Sequence, residues 1–329
     1  MIVKIFSATI VSLLVFSCAT QVEYVPSQQT LQQPETEKKT EETDIVDVGT
    51  HILPNGDRYI GGFKDNKKWG KGEYVYANGD VYKGWFEDGT YNGHGELTYN
   101  DGTKYIGEFV DGLRQGSGTL ILPSGARFVG EFYGDLMNGE GVYRFADERE
   151  YRGSFREGKR HGKGLMLFPS GAEYEGDFFD DDMTGIGKMR YRNGDVYEGL
   201  FDKGRRQGRG RLETKGGDIY EGMFRNNLFH GEGTYISSNG ERYTGNFENG
   251  EMSGEGIMEK NNGDVYRGSF LRGRYHGIGR LTRYNGNVQY GMWADGKFVR
   301  QLPEPDHSVV PKQSAPASGE DDLLEDFDY

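Results

Sequence analysis

Three histidines, His161, His230 and His276, have the side chains best suited to hold a metal or pass a proton, and their spacing denies them both roles. All three fall at the same place in a pattern that recurs every 23 residues. At two strands per repeat and about 4.8 Å per strand, neighbouring pairs stand roughly 30 Å and 20 Å apart. Elsewhere that place holds Trp69, Asn92, Gln115, Asn138, Thr184, Gln207 and Ser253, a mostly polar column of structural character. His94 lies between two glycines, isolated from the others. No Ser-His-Asp set, phosphate loop or paired-carboxylate motif rises above the repeat background, in which Gly-x-Gly strings are turn and packing signals. An enzyme is therefore not expected, and neither a cofactor nor a metal.

Charge offers more. Basic side chains gather in three turn regions: Lys67, Lys68 and Lys71; Arg156, Lys159, Arg160 and Lys163; and Arg205, Arg206, Arg209 and Arg211. Between the last two groups stand Asp180, Asp181 and Asp182. Such residues have two readings. They are solvated turns with compensating charge, or they form a discontinuous basic strip for anionic lipid headgroups, cell-wall polymers or an acidic protein, whose binding weakens with salt.

The elements that position them follow from the repeat. Tyr-x-Gly-x-Phe, a turn, then Gly-x-Gly begins at Tyr59, Tyr82, Tyr105, Phe128, Tyr151, Tyr174, Tyr197, Tyr220, Tyr243 and Tyr266, here units one to ten. Tyr105, Gly107 and Phe109 alternate with the period of a strand, so the two rings share a face over bare glycine. The turn after it holds only Gly, Asn or Asp, as at Gly112, Asn66 and Asp135, the types that best tolerate positive φ. A second strand carries Gly116, Gly118, Leu120 and Leu122 on one face, and Ser124-Gly125 turns into the next unit. In that second turn column only Glu148 replaces glycine.

Two strands per unit predict an all-β, elongated, single-layer antiparallel meander of ten 23-residue hairpins over residues 50–300. The competing architecture is a β-solenoid. The meander is favoured because each period has two strong turn signals where a triangular coil needs three. Rings from neighbouring strands are expected to lie edge-to-face in the gap over each Gly. Residues 50–58 supply a half-unit at one end. At the other, Gln289 takes the Tyr place and Trp293 the Phe place.

The unit resembles the membrane occupation and recognition nexus, or MORN, repeat, usually Tyr-x-Gly-x-Phe/Trp-x-x-Gly-x-x-x-Gly-x-Gly. Residues 197–210, YEGLFDKGRRQGRG, match it at every fixed place. The resemblance covers about three quarters of the chain and implies an elongated antiparallel hairpin array. Some members of the family are credited with membrane association.

The flanks differ in kind. Lys4 precedes the apolar run 5–16, too short to span a bilayer, and Ser17-Cys18 ends it, which reads as a signal peptide over 1–17. Residues 15–18, VFSC, resemble a bacterial lipobox, with Val15 in place of the commoner Leu and a bulky Phe16. Cys18, the only cysteine, is thus the expected lipid attachment site, and two or more acyl chains anchor firmly. The alternative is an ordinary secretory signal that happens to end at Cys. Residues 18–49 are expected to be a flexible stalk. Ala19 stands where an inner-membrane retention Asp occurs in some lipoproteins, which favours the outer membrane of a bacterial envelope.

Residues 1–49 carry three basic and seven acidic side chains and residues 301–329 one and eight, leaving the array near −2 of the total −13. Acidity therefore belongs to the flanks. With no basic field, zinc-ligand spacing or reading helix, nucleic acid is not an expected partner. Residues 301–329 are expected to be a disordered acidic tail punctuated by Leu323, Leu324, Phe327 and Tyr329, either solubilising or a docking motif. The leading expectation is a membrane-anchored, non-catalytic envelope scaffold that binds partner proteins through groove, turns or tail. The alternative is a direct binder of lipid headgroups or cell-wall glycan.

Overall fold

The computed structural model describes residues 47–304. The expected signal peptide, Cys18, nearly all of the stalk, and the tail with Leu323, Leu324, Phe327 and Tyr329 lie outside the described residues. Those described form 23 strands and no helix, in a single antiparallel sheet. Each strand pairs with the next in sequence, as from unit four through unit six. This is a meander; a solenoid would pair strands from successive coils.

Each unit has a seven-residue Tyr strand and a nine-residue Gly strand, in unit five Glu150–Arg156 and Lys159–Leu167. A two-residue turn joins them, Glu157 at φ 51° and Gly158 at φ 83°. Positive φ at both places makes a type I′ turn, whose twist matches the flanking strands. The sequence reading found only the second place. The first also holds Asp65, Lys203 and Arg272 at φ 46–50°, and such side chains do not announce a left-handed backbone. Units are joined by a second turn, in which Gly171 N–H donates to Phe168 O at 2.8 Å. Glu148 takes the glycine place of this turn at φ 68°. In unit three the Gly strand ends at Ile121, so Leu122 opens the turn rather than extending the strand face.

The core is a ladder of rings on one face. Tyr105 is fully buried and meets Phe109 of its own strand at 5.1 Å and Phe132 of the next unit at 4.9 Å, both edge-to-face. Such pairs contribute about 0.5–1.5 kcal/mol each beyond area burial. Glycine is required beneath the ring: a Cβ on Gly107 would lie 2.5 Å from Tyr105 Oη and 2.7 Å from Gly118 Cα. The gap over glycine is therefore filled by the tyrosine of the same strand. The neighbouring unit's Phe packs on that ring's edge instead of entering the gap, which corrects the expected packing.

A bulge sets the position of the tyrosine hydroxyl. In unit five Gly153 pairs with Gly164 and Phe155 with Arg160, so Ser154 drops out of the pairing with the Gly strand of its own unit. Tyr151 Oη–H donates to the Ser154 carbonyl at 2.9 Å. Units six, seven and nine repeat both the bulge and the bond. The residue is tyrosine because the same ring that fills the glycine gap also satisfies a carbonyl exposed by the bulge.

Both ends are closed by part-units. A leading strand, Asp47–Ile52, pairs with the Tyr strand of unit one and begins three residues before the expected start at 50. At the other end Val288–Ala294 pairs with Lys297–Gln301. Trp293 is 5% exposed, meets Tyr266 edge-to-face at 5.4 Å and donates its Nε1–H to Gly279 O at 3.1 Å.

Candidate functional site: the groove face

Strand alternation sends the residues between the ring-face positions to the opposite face. There, the residue after each Tyr and the residue after each Gly-x-Gly stand opposite one another in a cross-strand row. In units six to eight the row reads Glu175, Lys188, Glu198, Arg211, Glu221 and Thr234. Lys188 ion-pairs with Glu198. Paired glycines such as Gly210 and Gly222 form the floor beside it, which leaves an open groove of about 1440 Å³ running from Glu198 to Gly268. A second groove of about 640 Å³ covers the same face from Arg152 to Gly199. Ile186 (65% exposed), Leu200 (40%) and Met223 (39%) project from this face, Ile186 directly opposite Leu200. Side chains of both signs and several exposed apolar groups thus share one concave surface suited to a peptide segment rather than a small molecule.

The eight basic candidates separate into three places. Arg156, Lys159 and Arg205 flank the type I′ turns at one edge of the sheet. Lys163, Arg209 and Arg211 line the groove, Lys163 bonded to Asp177 at 2.6 Å and Arg211 to Glu213 at 2.9 Å. Arg160 and Arg206 belong to the ring ladder. Arg160 lies over Tyr151 and Phe178, and Arg206 over Tyr197 and Phe224, with cation-to-centroid distances of 5.3–5.8 Å. Their guanidinium groups also donate to the carbonyls of Asp181 and Asn227. The acidic turn of unit six pairs with the basic turn of unit five, Lys159 with Asp180 at 3.3 Å and Arg160 with Asp181 at 2.9 Å. The geometry therefore does not gather the eight into one strip.

Lys67 pairs with Asp88 at 3.3 Å, Lys68 lies over Tyr74 at 4.5 Å and Lys71 over Trp85 at 5.4 Å. Burial pushes the Lys68 ammonium below its ordinary pKa. The column of Lys68, Arg114, Arg160 and Arg206 is filled in other units by Tyr91, Phe229, Tyr275 or a methionine, and Tyr91 stacks on Tyr82 at 3.6 Å. Sequence reasoning took its cations as surface charge. Their alternation with rings and thioethers in a single column was the available signal that they cover rings.

The histidine column supports turns. Gln115 and Gln207 Oε1 and Thr184 Oγ1 accept the N–H of the first turn residue in the next unit, Gly134, Asn226 and Lys203, at 3.0–3.3 Å. His161, His230 and His276 hold the same place, each with a buried Nδ1. Among the described residues no three His, Cys, Asp or Glu side chains converge.

The family profile described as MORN repeat matches ten segments: 59–81, 82–104, 105–127, 128–148, 151–173, 174–196, 197–219, 220–242, 243–265 and 266–288. The chain belongs to the MORN repeat family. The match to the fourth MORN unit stops at Glu148, where the second turn loses its glycine. Membership makes this chain a repeat-based interaction scaffold in a family that is generally non-catalytic. No curated protein matches the sequence. Similar solved structures include the TCP10 domain of Danio rerio CPAP in complex with a peptide of Danio rerio STIL. It is 13% identical, with 74% of this chain and 98% of that one covered and a TM-score of 0.31. The SAS-4 (dCPAP) TCP domain of Drosophila melanogaster, in complex with a proline rich motif of Ana2, is 12% identical over 61% and 90%, at 0.28. A streptogramin B lyase is 11% identical over 76% and 84%, at 0.14. At these scores the similarities carry nothing over to this chain.

Proposed function

We propose that this MORN protein is a non-catalytic scaffold of the bacterial cell envelope, lipid-anchored through Cys18, that binds partner proteins along its groove. The observation that carries the binding role is the contrast within each unit. Tyr, Gly and Phe positions are spent on the ring ladder, while the groove positions change freely and present charge and exposed apolar side chains over a glycine floor. Anchoring rests on the sequence alone: the apolar run 5–16 and a single cysteine directly after it. A stalk over 18–49 then holds the array off the membrane, on the outer membrane by the Ala19 argument.

The test is affinity capture and crosslinking from native envelope with the wild-type chain, with Arg209→Ala/Arg211→Ala and with Cys18→Ser. A stoichiometric protein partner that is lost with the groove variant supports the scaffold. Failure of the Cys18→Ser chain to take up labelled fatty acid, when wild type does, supports the anchor. Direct binding of lipid headgroups or glycan by Arg156, Lys159, Arg205 and Arg209 is the second reading. It is favoured only insofar as Arg156, Arg205 and Arg209 form no ion pair among the described residues. It replaces the first if lipid or glycan, rather than protein, is recovered in a salt-sensitive manner.

A further inference from the structure

Resting on the reading that the groove binds protein segments, we propose that its resident occupant is the chain's own C-terminal segment, 319–329. The exit from the sheet aims the chain there. Leu302 N–H donates to Tyr290 O at 3.0 Å, and the Glu304 carboxylate meets Arg280 at 2.8 Å. Arg280 stands on the groove face directly opposite Arg267. Like charges so placed repel, and Glu304 supplies the one carboxylate bonded to this pair among the described residues. Arg267, Arg242 and Arg209 line the same groove, and none of the three forms an ion pair among the described residues.

The composition of the chain beyond Glu304 matches that surface. Residues 305–329 carry seven acidic side chains and one basic, and six of the acids lie in the last eleven residues, interleaved with Leu323, Leu324, Phe327 and Tyr329. From Arg280 to Arg209 is six strands, roughly 29 Å. The fourteen residues 305–318 reach up to about 46 Å when extended, so the acidic segment can lie along the whole groove. Its carboxylates meet Arg267, Arg242 and Arg209. Its leucines and Phe327 cover Met223, Leu200 and Ile186, exposed apolar groups on the same face. Glu198, Glu221, Glu232 and Glu255 share the groove; Glu198 is paired with Lys188, and Ser269 Oγ–H donates to Glu255 at 2.5 Å. The segment's apolar residues cross at the carboxylates without an ion pair among the described residues, Glu221, Glu232 and Glu255, and its acids register on the arginines.

The probe is a fluorescein-labelled peptide of residues 319–329, followed by anisotropy against full-length proteins. A tail variant carries Glu320→Gln, Asp321→Asn, Asp322→Asn, Glu325→Gln, Asp326→Asn, Asp328→Asn, Leu324→Ala and Phe327→Ala. The peptide binds this variant at least tenfold more tightly than wild type, because a tethered copy competes at an effective concentration of order millimolar. Adding Arg267→Glu to the tail variant costs at least tenfold. Thr244→Glu, in the same groove row, gives the same loss and guards against misfolding of the first. Equal binding to wild type and tail variant, or none to either, overturns the proposal. So does competition that fades as wild type is diluted, which means a tail from a second copy. If envelope capture still yields a groove-dependent partner while the peptide fails, this inference falls and the scaffold reading stands.

Discussion

On the ring face of the sheet, distant units are interchangeable. Tyr243 meets Phe247 at 5.1 Å and Phe270 at 4.8 Å, as Tyr105 meets Phe109 and Phe132 at 5.1 and 4.9 Å. On the groove face the side chains change along the array: one column holds Lys188, Arg211, Thr234 and Ile257 in successive units. Both faces belong to the same strands, so the difference is not one of backbone. A ring seated over glycine admits no side chain beneath it and only another aromatic in its own place, as Phe128 of unit four shows, whereas a groove position over open space accepts any side chain. Stability is thereby confined to one face, and the other is free to vary with a partner.

Gly107→Val breaks that comparison most severely if it is wrong. The new Cβ lies 2.5 Å from Tyr105 Oη and 2.7 Å from the Gly118 backbone, and backbone cannot step aside. A loss of about 3–5 kcal/mol is expected, confined to the neighbouring units because repeat arrays couple nearest neighbours. Lys104→Ala, which removes a half-exposed ion pair to Glu96 at 2.7 Å, should cost no more than about 1 kcal/mol. Amide exchange across units two to four reads both. Similar loss of protection in the two variants would sink the ladder as the source of stability.

Alkali attacks the same ladder without mutation. Burial pushes the phenols of Tyr105, Tyr197, Tyr220 and Tyr243 from the ordinary 10 up to about 12. The folded state thus favours the neutral phenol. Its contribution is complete below pH 10, where the unfolded phenol is also neutral, and is lost as pH rises from 10 through 12. The melting temperature should hold from pH 8 to 10 and then fall steeply. A flat profile to pH 12 would mean that the rings are not excluded from water.

Much of this face was legible because its signals are steric. Gly beneath Tyr and a left-handed residue in each turn are demands that few residue types meet, so they recur in sequence. Two features were hidden. The first turn place is left-handed at Lys203 and Arg272, and the type I′ geometry is imposed by the strand pairing rather than by those side chains. Arg160 and Arg206 read as surface charge, since a guanidinium over a ring differs from a solvated one only in its neighbours. The groove's register was implicit in the period, but which of its residues act is not written in any repeated column.

Glu148 is a natural exception inside the repeated frame. It sits at φ 68° where other units place glycine, and a left-handed non-glycine residue costs roughly 1–2 kcal/mol. Glu148→Gly should therefore stabilise unit four by about 1 kcal/mol, less what glycine returns in unfolded-chain entropy. Slower amide exchange in units four and five would register the gain. Unchanged or faster exchange would mean that the turn has adapted to the side chain.

The smallest effect on stability is expected in the groove and sharpens the contrast most. Arg209 has no ion pair among the described residues and stands opposite Met223, so Arg209→Ala should change stability by no more than about 0.5 kcal/mol. Arg206, three residues earlier, lies over Tyr197 and Phe224 and donates to Asn227 O at 2.7 Å. Its removal uncovers rings and frees a carbonyl. If the two arginines prove equally dispensable to folding, the guanidinium over the ladder is ornamental and the column is surface after all. If they prove equally necessary, the groove face also carries stability, and its variation reflects packing rather than recognition. Only a neutral Arg209→Ala that still loses captured partner leaves the division between the faces intact.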